Sequence, residues 1–318
     1  MFQLYKSRTF GDYVSDPIDF FKKQGKHYFK HYFIINGIFL MIFAVIIYFF
    51  TKIYMDFFQS TIINRNSSSN VVNDYFSNNA GVFIGTILGM IILGIIISII
   101  NYSYPTLYTK LYEQRGTNFE TKDIINSIKE NFGRLLLFML FSIFTMIPLF
   151  FIVMVINVFL CFILIGFPLF FITFPALMSW MSLTFNNYIL ERKGYFESIG
   201  DGYRMLRSNF WPIVGGTLVM FVILYILQTI ITMIPYMFGM ISMYSVGNDL
   251  SNPENQSDFF GSFSIMMIAV MLLSTLVGFT FQNFLHIQQV LIYYSQVENE
   301  DLKTSNDEIE LIGNDTEN

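Results

Sequence analysis

Leu111–Thr121 reads LYEQRGTNFET, and a close copy, ILERKGYFES, stands at Ile189–Ser198. A shorter relative, LYKSRTFGDY, begins at Leu4. What lies between these polar phrases decides the fold. Leu135–Leu190, Ser208–Asn248 and Phe259–Val297 contain no Asp, Glu, Lys or Arg. Over 318 residues the hydrophobic fraction is 54% and the charged fraction 13%, against about 25% charged in an ordinary soluble domain. A chain this apolar cannot cover its surface with polar groups, so part of its solvent is lipid. The apolar runs are continuous and do not alternate, which selects helices over a β-barrel.

A helix crosses the hydrocarbon core with about 20 apolar residues. Six spans are expected on that basis: Phe33–Thr51, Gly81–Tyr104, Leu135–Ile156, Phe167–Ile189, Ile213–Met240 and Phe263–Leu291. The third-to-fourth connection, Asn157–Gly166 (NVFLCFILIG), is itself apolar, which places its turn against protein or at membrane depth. Of the eighteen Lys and Arg, only Lys52 and Arg65 fall on one side of this arrangement. The positive-inside bias therefore predicts a multi-pass inner-membrane protein with both termini cytoplasmic. The net charge of −5 comes from the tail after Val297, with eight acidic residues and one Lys. Residues 298–318 are expected to be a disordered acidic cytoplasmic tail. No small-residue cleavage site accompanies the first apolar run, so the first span is expected to be retained. Cys161 stands alone and forms no intramolecular disulfide. Asn66-Ser67-Ser68 and Asn255-Gln256-Ser257 match the glycosylation acceptor pattern, as chance allows in Asn/Ser-rich loops.

Aligning Leu111 with Ile189 pairs Glu113 with Glu191, Arg115 with Lys193 and Gly116 with Gly194. After one gap, Phe119, Glu120 and Thr121 pair with Phe196, Glu197 and Ser198, and later Asn131-Phe132 pairs with Asn209-Phe210. The first copy keeps Leu4-Tyr5 and Arg8. Gly116 and Gly194 suit a helix stop, and Thr121, Ser198 and Ser15 suit the cap of a new helix. Each new helix is amphipathic: Ile124, Ile125, Ile128 and Phe132 share a face, as do Ile199, Tyr203, Leu206 and Phe210. Such a helix lies well in the headgroup layer. The expected fold is an all-α integral membrane protein of six transmembrane helices, built as three repeats of interfacial helix plus transmembrane hairpin. The units run about 4–104, 111–188 and 189–297, forming one domain over 1–297. On this reading Glu113 and Arg115 are solvated surface charges.

The span interiors hold no carboxylate, Lys or Arg, which weighs against ion pumps and proton-coupled carriers. In the sixth span Gln282, His286, Gln289, Tyr293 and Gln296 form a polar stripe at helical spacing, with Asn283 beside it. Asn101 and Asn186-Asn187 occupy matching positions on the second and fourth spans. These groups either hydrogen-bond one another across helices or line a cytoplasmic polar cavity. Lys22, Lys23, Lys26, Lys30, Lys122, Lys129, Arg204 and Arg207 are expected at the membrane surface. His27 and His31 stand four apart among these lysines, and they read as part of that basic patch rather than as metal ligands. No nucleophile elbow, zinc-protease, phosphate-loop or dinucleotide motif occurs, so no catalytic residue, metal or cofactor is expected.

Three units of "Phe-Glu-Ser/Thr, amphipathic helix, Asn-Phe, hairpin" resemble the membrane domain found beside bacterial glycerophosphoryl diester phosphodiesterases. The opening MFQLYKSRTFGDYVSDPIDFFKKQGKHYFKHYFIINGIF is similar to six-span Bacteroidota families of unassigned activity. The phosphodiesterase domain itself is absent from the sequence, so the resemblance implies the membrane fold and not that reaction. Some similar chains carry a β-carotene oxygenase label, but three His do not supply the several ligands that iron would need there. The resulting expectation is a non-enzymatic scaffold or lipid-interacting module in envelope or lipid homeostasis. The alternatives are a flippase-like carrier of an amphiphile and, remotely, an intramembrane enzyme. The expected partners are membrane lipids and a protein bound by the acidic tail, with no nucleic acid.

Overall fold

The structure, a computed structural model, describes residues 2–63, 70–246 and 253–315. It is all α-helical among these residues: α1 (Phe10–Ile63), α2 (Asn70–Arg115), α3 (Thr121–Phe144), α4 (Met146–Cys161), α5 (Gly166–Leu190), α6 (Tyr195–Ser208), α7 (Phe210–Val246) and α8 (Pro253–Asp315). Six stretches are long and apolar enough to cross a membrane, with α3 and α4 together making one of them. The chain is a multi-pass α-helical membrane protein. The sequon at Asn66 lies outside the described residues, and so do the side chains at Asn255–Ser257.

Proline places the breaks. Pro148, Pro168 and Pro212 are each the third residue of a helix, of α4, α5 and α7. A proline has no N–H to give the carbonyl four residues back, and its ring clashes with that carbonyl. In the first turn that N–H has no helical partner in any case, so the helix starts there. This explains a departure from the three-unit expectation. The amphipathic stretch before Pro212 is a separate helix, α6. The stretches before the first and third spans, with no proline at the corresponding place, run on without a break inside α1 and α3. The caps also differ from expectation. Thr121 is the first residue of α3, and Asp123 accepts the Glu120 N–H at 2.8 Å. Ser15 lies inside α1 and Ser198 inside α6. Gly116 ends α2 at φ 62°, as a helix stop requires. Gly194 is extended and starts α6 instead, because the second phrase is one residue shorter there; Arg192 takes the positive φ, 55°. α1 and α2 extend through much of Lys52–Ala80, and the tail after Val297, expected to be disordered, continues α8 as far as Asp315.

The phrases share one ion pair. Arg8 bonds Asp16 at 2.9 Å, Arg115 bonds Asp123 at 3.4 Å and Lys193 bonds Asp201 at 2.7 Å. Each is a base to an Asp eight residues on, in the register set by Leu4, Leu111 and Ile189. Hydrogen bonding to Asp201 raises the Lys193 pKa. The phrase glutamates stay exposed yet are tied to α8. Glu191 accepts the Tyr293 hydroxyl at 2.7 Å, and Glu113 accepts from Tyr294 and Tyr5, each at 3.0 Å. They are thus more than solvated charges. Burial, then Glu113, raises the Tyr5 pKa.

Arg8 is the outlier, with a side chain 0% exposed. Its guanidinium also donates to the carbonyls of Leu4 (2.7 Å), Gln3 (2.9 Å) and Leu291 (3.3 Å). Burial pulls its pKa down, and Asp16 acts in the opposite direction. A desolvated guanidinium is tolerable only when its donors are met in this way.

The helices form two compact units. The first comprises Met1–Ile35, Asn101–Ile223 and Gln282–Asn318. Its core is aromatic, with Tyr13, Phe20, Tyr28, Tyr32, Tyr104, Tyr108, Tyr112, Tyr293 and Tyr294 all buried. The hydroxyls find partners: Tyr28 donates to Asn283, Tyr32 to Asn101 and Tyr104 to the Tyr28 carbonyl, each at 2.7 Å. Arg134 of α3 lies 4.0 Å over the Tyr188 ring and donates to the Tyr188 and Lys193 carbonyls, closing the end of α5. Gly202 lets α6 meet α5 closely, since a Cβ there would lie 2.7 Å from the Thr184 nitrogen. The second unit comprises Asn36–Ile100 and Leu224–Phe281. It exposes large apolar side chains such as Met41, Ile84, Phe238 and Ile265, as a lipid-facing surface does. Gln228 bonds Ser274 there, at 3.3 Å to the carbonyl and 3.4 Å to the hydroxyl.

The difference between the ion pairs is measurable. Asp16→Ala strands a buried guanidinium and should cost about 3–5 kcal/mol. Arg115→Ala removes a half-exposed pair without touching the α3 cap and should cost less than about 1 kcal/mol. Thermal unfolding of the two variants in detergent measures both.

Candidate functional site

The first unit gathers polar side chains from α1, α2, α5, α7 and α8 inside the protein. Of the residues the sequence points to, Asn101, Asn186, Asn283, His286 and Gln289 are buried, whereas Gln282 is exposed. Gln289 donates to the Thr217 hydroxyl at 2.9 Å, and Thr217 pairs with Ser179 at 3.0 Å. Asn186 accepts from Thr106 at 2.8 Å, and Tyr102 meets Ser182 at 3.2 Å. These pairs lock α2 to α5, α5 to α7 and α7 to α8. Interhelical bonds of this kind are worth about 0.6 kcal/mol each in a membrane.

Gln288, which the stripe omits, has a clear task. Pro17 has no N–H to give the Tyr13 carbonyl. Gln288 fills that role, donating to the Tyr13 carbonyl and the Gly216 carbonyl at 2.9 Å each. The Tyr13 hydroxyl in turn accepts from Gln296 at 2.9 Å. A proline inside a helix, paired with an amide on another span, is the sequence signal that points to such a bond.

His286 lies edge-on to Tyr102, with ring centroids 5.2 Å apart. With Thr106, Ser182, Asn186 and Gln289 it borders a cavity of about 10 Å³. That is the threshold for a single water and far below the roughly 300–1,000 Å³ of a small-molecule site. The Gln289 Oε1 is buried there with no hydrogen-bond partner among the described residues. The cluster can hold one water; it has no room for a headgroup.

The eight basic candidates are placed otherwise. Lys22, Lys23, Lys26, Lys30, Lys122, Lys129, Arg204 and Arg207 are all exposed. The two histidines among them turn inward, against the surface-patch expectation. His27 Nδ1 meets the Tyr108 hydroxyl at 2.8 Å, and His31 Nδ1 meets the Thr121 hydroxyl at 2.6 Å. Their Nε2 atoms are 3.2 Å apart, so one imidazole donates to the other. This pins α1 to the start of α3, and Phe119 of the phrase packs on His27 at 4.9 Å. No group of three or more metal-ligating side chains occurs among the described residues. No family model, no curated protein and no solved structure matches the chain.

If the cluster is structural glue, Gln289→Leu should lower stability by about 1 kcal/mol and leave the lipids that copurify with the protein unchanged. Unfolding in detergent and mass spectrometry of the extract test the two halves of that statement.

Proposed function

We propose that this membrane protein is a non-catalytic, lipid-interacting module that acts as a scaffold in envelope or lipid homeostasis, with both termini on the cytoplasmic face of the inner membrane. The observation that carries this reading is the pairing of exposed bases with exposed aromatics. Phe33 follows Lys30, Phe132 follows Lys129, Tyr203 precedes Arg204 and Trp211 follows Arg207, all exposed. Aromatic rings favour the headgroup layer, and bases there meet lipid phosphates. Lys26, Lys30, Lys122, Lys129 and Arg207 have no ion pair among the described residues, so their charge is available to a phosphate. The same three-phrase layout supports kinship with the membrane domain beside glycerophosphoryl diester phosphodiesterases. The three ion pairs in common register support a triplicated unit.

A test follows from the charge. Each base near an anionic surface contributes about 1 kcal/mol. Replacing Lys22, Lys23, Lys26 and Lys30 with Gln should lower the ratio of phosphatidylglycerol to phosphatidylethanolamine retained by the protein by at least about tenfold. Native mass spectrometry from mixed-lipid membranes reads that ratio, and an unchanged ratio contradicts the proposal.

A further inference from the structure

The second unit holds a groove of about 510 Å³ between α7 and α8. Its lining is apolar except at one end, where the Ser242 and Ser262 hydroxyls lie 3.2 Å apart. Its depth in the membrane can be gauged from the sequence. Asp258 is charged and stays out of the hydrocarbon. Ser262 is one turn further, about 6 Å along α8, and Leu273, at the deep end, is roughly 16 Å beyond Ser262. Half of the bilayer's hydrocarbon core is about 15 Å. The groove thus runs from the headgroup boundary to the midplane, polar at the first and apolar at the second.

Its floor is a close helix contact. A Cβ on Gly239 would lie 2.2 Å from Met266 Cγ, so only glycine allows α7 to approach α8 there. Toward the deep end, Pro235 removes one helix hydrogen bond from α7, a place where helices bend. The volume falls within the range of small-molecule sites.

We infer that this groove is a specific lipid site that takes one acyl chain of a membrane glycerolipid, with the ester carbonyl at the Ser242–Ser262 hydroxyl pair. The match of groove length to one leaflet and the polar mouth select a chain anchored at the surface over a soluble ligand. The inference rests on the lipid-interacting reading, yet it concerns a different surface from the basic one. In the proposed topology the lipid belongs to the outer leaflet.

The test uses the full chain in liposomes containing a phospholipid with a photoactivatable diazirine in mid-acyl position, and peptide mapping of the adducts. Adducts on Met266–Leu273 should exceed those on Val82–Ile92, an exposed lipid-facing segment of α2, by at least about fivefold. Ala269→Phe, which fills the groove, should remove the excess while circular dichroism and the unfolding temperature show a folded protein. If that variant does not fold, Ser242→Ala with Ser262→Ala should lower the excess instead. Equal labelling of the two segments, or an excess unchanged by the folded variants, overturns the site. Capture of a second copy of the chain at Met266–Leu273 also overturns it. The four-lysine Gln variant should keep the excess, which separates failure of this site from failure of the headgroup reading.

Discussion

An ion pair between a base and an aspartate eight residues later stands at each of three handovers into a helix, those into α1, α3 and α6. The pair spans from the end of one segment to the early turns of the next, and so sets the direction in which the chain turns back toward the membrane. In the two later phrases the pair is partly exposed and contributes little on its own. In the first it is desolvated, and the N-terminal segment wraps around Arg8 to supply carbonyls. The same charge pattern thus serves as a surface clasp twice and as a buried keystone once. Tyr293 and Tyr294 then carry the last helix to the phrase glutamates, so all three handovers and the end of the sixth span meet in one unit.

That unit is polar inside and closed. Its buried hydroxyls pair with amides, carbonyls and one another, the Gln289 Oε1 has no partner among the described residues, and one glutamine replaces the hydrogen bond that a proline removes. The second unit is simpler among the described residues: apolar faces and a groove between α7 and α8. On the proposed function, the two kinds of lipid contact would fall in different places: headgroup charge would be met by exposed lysines and arginines of the first unit, and a lipid tail by α7 and α8 in the second.

Much of this is legible in the sequence. Charge-free runs give the six spans because lipid excludes charge whatever the packing. The polar stripe gives Asn283, His286 and Gln289 because a helix keeps its period. Other features depend on what a residue meets. Gln282 has the stripe's spacing but lies at the edge of the buried part of α8, which begins with its neighbour Asn283. Arg8 sits between Lys6 and Asp12 and reads as one more surface charge; only its register with Arg115 and Lys193, together with the aspartate eight residues on, marks it. His27 and His31 look like surface bases from their lysine neighbours, yet the opposite helix face turns them toward Tyr108 and Thr121. The continuity of α1 and α3 follows from the lack of a proline where α7 has Pro212, a local signal that the repeat itself conceals.

The account turns on the three handovers lying on one side of the membrane. Single cysteines at positions 23, 122 and 204, in a chain with Cys161→Ser, can be probed with an impermeant maleimide in intact cells. The account predicts that all three stay unlabelled until the membrane is permeabilised, while a cysteine at position 255 is labelled at once. Labelling at position 122 in intact cells would contradict it.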